Sequence, residues 1–301
     1  MTGEVYVWGR KKTEAEKTGG LRSVSARRGG FCLPDYRLVA VDLDDTLLTS
    51  GLEVSPRAGR AISRAQALGV VVTLATGRMY LSAVPFARRL GIDAPIITYQ
   101  GALVKHPVTG AELLHRALAN DTARAVIERL RAYGYHLNVY LDDQLYMEVL
   151  TELGKRYADL SRVEAHPVGD LLVYLGDRNP TKVLAIGGED EIERLEQEMI
   201  ALFPAERVHI TRSKPKFLEF SHPLATKGRA LQYLAAYYGI PREAVMAIGD
   251  GYNDLDMVAW AGLGIMMDNA RDEVKRYADH VTASNDADGV AEAIERFVLG
   301  R

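Results

Sequence analysis

Short, uninterrupted apolar runs recur along this chain, separated by stretches whose apolar residues repeat at helical spacing, and that alternation leaves few folds open. The runs are Leu38–Val41, Val70–Ala75, Pro95–Thr98, Val245–Ile248, Gly262–Met267 and a weaker one at His280–Thr282. Continuous apolar runs suit parallel strands buried on both faces and joined by crossover helices. Between the first two runs, Ser55 precedes Pro56 as an N-cap precedes a proline at the first helical position. Ala58, Ile62, Ala65 and Leu68 then repeat on one face until Gly69 stops the helix.

The pattern breaks in the middle of the chain. A helix is expected from Asn120 to Tyr133, closed by Gly134, then a hairpin from His136 to Glu148 turning at Asp142-Asp143-Gln144. Thr181–Ile186, Val208–Thr211 and Phe217–Phe220 read as strands and Glu191–Leu202 as a helix. The parallel-sheet pattern resumes only afterwards, so the expected fold is α/β: a Rossmann-like doubly wound parallel sheet with an α+β domain inserted into it. The boundaries follow as a core of residues 37–104 and 222–301 with an insertion of residues 105–221. Residues 1–36, with three Gly and Arg pairs among scattered Lys and Ser, are expected to form a loose tail. A length of 301 residues accommodates two such domains.

Charge narrows the partners. A formal net charge of −3 supplies no global basic field to collect nucleic acid or an anionic membrane, so a small-molecule partner is expected and any anion site is local. No apolar stretch is long enough to span a bilayer, and the first thirty residues lack a secretory h-region. Cys32 is the single cysteine, which excludes an internal disulfide framework and fits a reducing compartment, so a cytoplasmic location is expected.

The first strand ends in Asp42-Leu43-Asp44-Asp45-Thr46. Ligands of open parallel sheets bind at the carboxyl ends of strands, and strand geometry turns Asp42 and Asp44 to one side. Two carboxylates in one place call for a cation, and hard oxygen ligands favour Mg²⁺ or a similar ion. A turn that merely caps the strand is the plainer alternative for Asp-Asp-Thr alone. A second acidic strand end, Gly249-Asp250-Gly251-Tyr252-Asn253-Asp254, weighs against it. That segment lacks the third glycine of a dinucleotide fingerprint and the sixth-position glycine of a calcium loop.

The second strand ends in Thr76-Gly77-Arg78, a hydroxyl, open backbone N–H groups and a planar cationic fork, all suited to phosphate. Arg78 has the alternative of an ion pair with a carboxylate. Lys227 opens an expected helix, Lys227–Tyr238, where a cation opposes the helix dipole unless an anion stabilises both. The histidines show no HExxH-type metal spacing, and a hairpin turn accounts for Asp142 and Asp143 more simply than contact with a ligand.

Four motifs in order, DLDDT at 42–46, TGR at 76–78, TKG at 226–228 and GDGYNDLDM at 249–257, make the chain after Arg37 resemble the haloacid dehalogenase-like hydrolases, and among them the Cof-type phosphatases. The resemblance implies a Mg²⁺-dependent phosphatase acting on a small phosphate monoester, a sugar phosphate or phosphorylated cofactor. Asp42 would be the nucleophile that becomes an aspartyl-phosphate, and Asp44 the acid and then base. Asp42, the Asp44 carbonyl and Asp250 would hold the metal, with Asp254 close by. Thr76, Gly77, Arg78, Lys227 and Asn253 would contact phosphate. The insertion would be a cap over the site that sets specificity. Tyr99-Gln100-Gly101 departs from the family's usual Asn-Gly step, and Gln100 would take the place of that amide. A phosphomutase, or a phospho-ligand binder without turnover, are the competing expectations.

Overall fold

The computed structural model describes residues 27–28, 31–32 and 35–300. The expected loose tail lies almost wholly outside the described residues; within it Arg27–Arg28 pairs antiparallel with Phe31–Cys32.

Five strands make the central parallel sheet: β1 (Leu38–Val41), β2 (Val71–Leu74), β12 (Val245–Gly249), β13 (Leu263–Met267) and β14 (His280–Thr282), in the spatial order β14-β13-β12-β1-β2. All four pairings are parallel. The runs are apolar on both faces because both faces are covered. Val39, Val41, Val72, Leu74, Met246 and Ile248 pack on one side with helices α1 (Pro56–Ala67) and α10 (Gly289–Phe297). Leu38, Ala40, Val245 and Ala247 pack on the other with α7 (Lys227–Tyr237) and α8 (Leu255–Trp260). The fold is therefore α/β and doubly wound. Ser55 caps α1 by accepting the Ala58 N–H at 3.0 Å, and Gly69 leaves the helix at φ +81°.

The third apolar run is only loosely part of this sheet. Strand β3 (Ile96–Thr98) joins it through a single parallel bridge, Ala75 to Ile97, and pairs antiparallel with β4 (Leu103–Lys105), itself paired with β5 (Glu112–His115). These last two strands leave no signal in the sequence because neither shows a clean period-two pattern.

A second, six-stranded sheet comes from the middle of the chain: β6 (His136–Leu141), β7 (Gln144–Met147), β8 (Ala165–Pro167), β9 (Lys182–Ile186), β10 (His209–Lys214) and β11 (Phe217–Ser221), in the order β8-β7-β6-β9-β11-β10. Only β7 and β8 run parallel. Leu137, Val139, Val183, Ala185, Leu218 and Phe220 face helices α3 (Asn120–Ala132) and α6 (Glu189–Leu202). The alternate residues, among them Tyr140, Lys182, Leu184 and Glu219, face the other way, and helix α4 (Glu152–Ser161) packs its Ala158 with Tyr140 and Leu184. Among the described residues no helix is long and apolar enough to cross a membrane.

Candidate active site

The site is built at the carboxyl ends of β1 and β12, which are hydrogen-bonded neighbours, so two acidic segments far apart in sequence are forced together. The Asp42 N–H donates to the Ile248 carbonyl at 3.0 Å, continuing the ladder and fixing where the Asp42 side chain leaves the strand. Beyond it the chain turns through Asp45 at φ +58°, a left-handed value that aspartate tolerates better than most residues.

Asp42, Asp250 and Asp254 each place one carboxylate oxygen within 4.8 Å of the others. The Lys227 ammonium donates to Asp42 Oδ1 and to Asp254 Oδ1, both at 2.6 Å, with its own side chain fully buried. Asp254 Oδ2 accepts the N–H groups of Asp250 and Gly251 at 3.0 and 2.9 Å, which ties the turn after β12 to itself. The Thr46 hydroxyl donates to Asp250 Oδ1 at 2.7 Å and braces the turn after β1 against that after β12.

One ammonium among three largely buried carboxylates leaves an excess of negative charge. Burial pushes the Asp42 carboxyl well up, against the pull of Lys227 and helped by Asp254 and Asp250. Burial and the Asp254 charge push Asp250 up to about 7, against its hydrogen bond from Thr46. Burial disfavours the Lys227 ammonium, yet Asp254 and Asp42 outweigh it and hold Lys227 above the ordinary lysine range. A divalent cation coordinated by carboxylate oxygens would relieve the same excess, and the donor set is all hard oxygen, which suits Mg²⁺.

Asp44 is not in the cluster of three. Its carboxylate takes a bidentate pair from Arg78, Nε to Oδ2 at 2.8 Å and Nη2 to Oδ1 at 2.6 Å. Burial pushes Asp44 up, but the hydrogen bonds and charge of Arg78 prevail and hold it below the usual carboxylate range. Of the two expectations for Arg78, the ion pair with a carboxylate is therefore the arrangement present.

Thr76 and Gly77 lie beside these groups at the end of β2. The Thr76 hydroxyl accepts the Arg78 N–H at 3.2 Å, and the Thr76 carbonyl accepts the Gln100 N–H at 3.1 Å. A Cβ on Gly77 would stand 2.4 Å from Gln100 Nε2, so any side chain there would have to push the Gln100 amide aside. Asn253 Nδ2 donates to Gln100 Oε1 at 3.1 Å, so the two amides meet each other across the floor of the site.

Lys227 begins α7, and both halves of its conflict with the helix dipole are resolved by acids: Asp42 and Asp254 on the ammonium, Asp256 accepting the Gly228 N–H at 2.8 Å. Thr46 and Asp256 carry no separate signal in the sequence, although they lie inside the DLDDT and GDGYNDLDM motifs. Asp143 does more than make the expected turn. Its carboxylate accepts the Tyr99 hydroxyl at 2.7 Å and the Tyr80 N–H at 3.0 Å, which fastens the β6–β7 turn to the end of β3 and to the start of α2 (Tyr80–Arg89).

A cavity of about 630 Å³ opens over Asp42, Asp44, Thr76, Gly77, Arg78, Gln100, Asp250 and Asn253. Its far wall comes from the six-stranded sheet and its surroundings, including Tyr157, Arg212, Ser213, Lys214, Phe217 and Glu219.

A family model described as haloacid dehalogenase-like hydrolase matches residues 39–294. Among curated proteins, a putative phosphatase of Haemophilus influenzae is 31% identical over 264 residues, covering 86% of this chain and 97% of that protein. A 5-amino-6-(5-phospho-D-ribitylamino)uracil phosphatase of Bacillus subtilis is 30% identical over 269 residues, with 86% and 97% covered. Among solved structures, a haloacid dehalogenase-like hydrolase from Bacteroides thetaiotaomicron superposes with a TM-score of 0.79 at 33% identity, covering 87% of this chain and 99% of that one. A Thermotoga maritima protein gives 0.77 at 32% identity, with 87% and 97% covered.

Proposed function

The chain belongs to the haloacid dehalogenase-like hydrolases, and from that premise we propose that it is a Mg²⁺-dependent phosphatase that releases phosphate from a small phosphate monoester through an aspartyl-phosphate on Asp42. It is a phosphoric monoester hydrolase by family. What supports the finer reading most is the trio of Asp42, Asp250 and Asp254, with Asp42 and Asp254 sharing one buried ammonium and Asp42 and Asp250 lining a cavity open to a ligand.

Asp42, with the Asp44 carbonyl and Asp250, is assigned to the metal, with Asp254 held near it by Lys227. Mg²⁺ there would offset the charge between a carboxylate nucleophile and a phosphate dianion. Asp42 attacks phosphorus in line with the ester oxygen; the P–O ester bond breaks as Asp44 gives its proton to the leaving oxygen. Asp44 then takes a proton from the water that attacks the acyl phosphate, and inorganic phosphate leaves with Asp42 restored. Lys227, Thr76 and Gly77 hold the phosphoryl oxygens as charge shifts. Gln100 and Asn253, joined amide to amide, line the same floor.

Arg78 has two duties in this scheme. Paired with Asp44 it keeps the acid ionised, unfit to donate. An incoming phosphate competes for the same guanidinium fork, and its capture of Arg78 releases Asp44 to take up a proton from water, the proton it then gives to the leaving oxygen. Residues 105–221 are assigned as the cap that closes over the site and excludes water.

The test is phosphate release from p-nitrophenyl phosphate and a panel of metabolite phosphates, with Mg²⁺ or EDTA, by wild type and Asp42→Asn. Turnover by wild type, lost with EDTA and lost in the variant, is expected. Release that depends on an added bisphosphate sugar points instead to a mutase, and release unaffected by Asp42→Asn removes the aspartyl-phosphate.

A further inference from the structure

Glu219 sits on β11 with 4% of its surface exposed, yet it forms part of the cavity wall opposite the phosphate floor. One of its oxygens is satisfied twice. Lys182 Nζ lies 3.1 Å from Oε1, and the Ser213 hydroxyl, on β10 across the hairpin, donates to that oxygen at 2.7 Å. The other oxygen, Oε2, is buried and has no hydrogen-bond partner among the described residues. Buried carboxylate oxygens are rarely left so, and such an atom beside a ligand cavity points to a donor supplied by the ligand.

Lys182 fixes this carboxylate in place. Lys182 is itself 2% exposed, stands 4.9 Å from the Tyr140 ring centroid and 5.8 Å from that of Tyr99, and reaches the Gly77 carbonyl at 3.5 Å. Two short steps thus separate Glu219 from the loop assigned to phosphate. A leaving group esterified to a phosphate held at Thr76 and Gly77 would extend toward this wall.

We propose that Glu219, with Ser213 beside it, is a specificity-determining contact that accepts a hydrogen bond from a hydroxyl group of the leaving group, so that hydroxyl-bearing alkyl phosphates are taken in preference to their deoxygenated counterparts. The inference rests on the phosphate-binding assignment above. Lys182 is a positioning residue: its ammonium, 3.1 Å from Oε1, holds the carboxylate aligned. An apolar leaving group would meet this wall with Oε2 still unpaired, and discrimination of that kind is larger than any from shape alone.

The test separates binding from turnover. Asp42→Asn protein, with Mg²⁺, is titrated calorimetrically with ribitol 5-phosphate and with pentyl phosphate, which share a five-carbon chain and differ in its hydroxyls. The hydroxylated ester is expected to bind about 10- to 100-fold more tightly, the range of a hydrogen bond to a charged acceptor. Adding Glu219→Gln, which keeps the shape and removes the charge, should reduce that ratio at least about fivefold. Ser213→Ala, on a partly exposed strand and safe for folding, should reduce it by a smaller factor in the same direction. Equal affinity for the two esters, binding of neither, or a ratio untouched by both substitutions overturns the inference. Phosphate release by wild type from p-nitrophenyl phosphate is measured alongside, and its loss would strike the phosphatase reading without altering the affinity ratio.

Discussion

The Lys227 ammonium, 2.6 Å from an oxygen of Asp42 and 2.6 Å from one of Asp254, is the cation that these two buried carboxylates share. Lys227→Met leaves those carboxylates buried and facing each other. Removing one partner of such a network costs about 3–5 kcal/mol. Urea unfolding in EDTA should show that loss, and Mg²⁺ should recover part of it; a variant as stable as wild type in EDTA would mean that the acids are already neutral. Asp250 gives a pH dependence of known sign. Its carboxyl is pushed up to about 7 by burial and by Asp254, against an unfolded value of about 3.9. Between those values the folded chain binds more protons than the unfolded one, so this group's contribution to stability falls as pH rises from about 4 to about 7. A cation on the ionised carboxylate offsets that fall. The gain in melting temperature from Mg²⁺ over EDTA should therefore be larger at pH 8 than at pH 5, and an equal gain would remove Asp250 from the metal's ligands.

At the scale of elements, the turn after β3 must fit against the turn that opens α7. Gly101 has φ +98°, and a Cβ there would stand 2.2 Å from the Thr226 carbonyl oxygen. Both the backbone angle and the space forbid a side chain, so Gly101→Ala should cost more than about 2 kcal/mol. Turnover should fall too, because Thr226 caps the helix that presents Lys227. Gly134, at φ +75° with open space for 4 Å around the place a Cβ would occupy, is the control: Gly134→Ala should cost only about 1 kcal/mol and leave turnover unchanged. Equal losses at both positions would show that backbone angle alone matters and that the contact with Thr226 is slack.

Over the whole molecule, the six-stranded sheet is tied to the parallel core at a small number of polar points close to the site. Asp143, at the tip of the β6–β7 hairpin, accepts from Tyr99 at 2.7 Å and from the Tyr80 N–H at 3.0 Å, while Lys182 touches the Gly77 carbonyl at 3.5 Å. A double-mutant cycle of Asp143→Asn and Tyr99→Phe should give a coupling energy of about 1–2 kcal/mol in urea unfolding, as expected for a partly buried hydrogen bond to a carboxylate. Amides of β6 and β7 should exchange faster in either variant. A coupling near zero would mean that the Asp143–Tyr99 hydrogen bond does not help to hold the two parts together.

The sequence by itself determined the doubly wound sheet, because a run such as Val245–Ile248, apolar on both pleat faces, has only one economical environment. It also determined where the acidic side chains gather: acids at the ends of β1 and β12 can meet only if those strands are neighbours. The hairpin at 136–147 and the helices at 56–67 and 120–132 were legible from period and caps. Strands β4 and β5 and helix α4 were not, since their apolar residues repeat too few times to exceed local noise. Tertiary structure alone decided the partners. That Arg78 pairs with Asp44 and that Asn253 meets Gln100 are facts of distance between side chains 34 and 153 residues apart, and that Glu219 keeps an oxygen without a partner among the described residues is likewise a fact of packing. Periodicity reports which face a residue occupies, through the pleat and the helical turn; it carries no information on which distant charge will stand opposite when two such faces close.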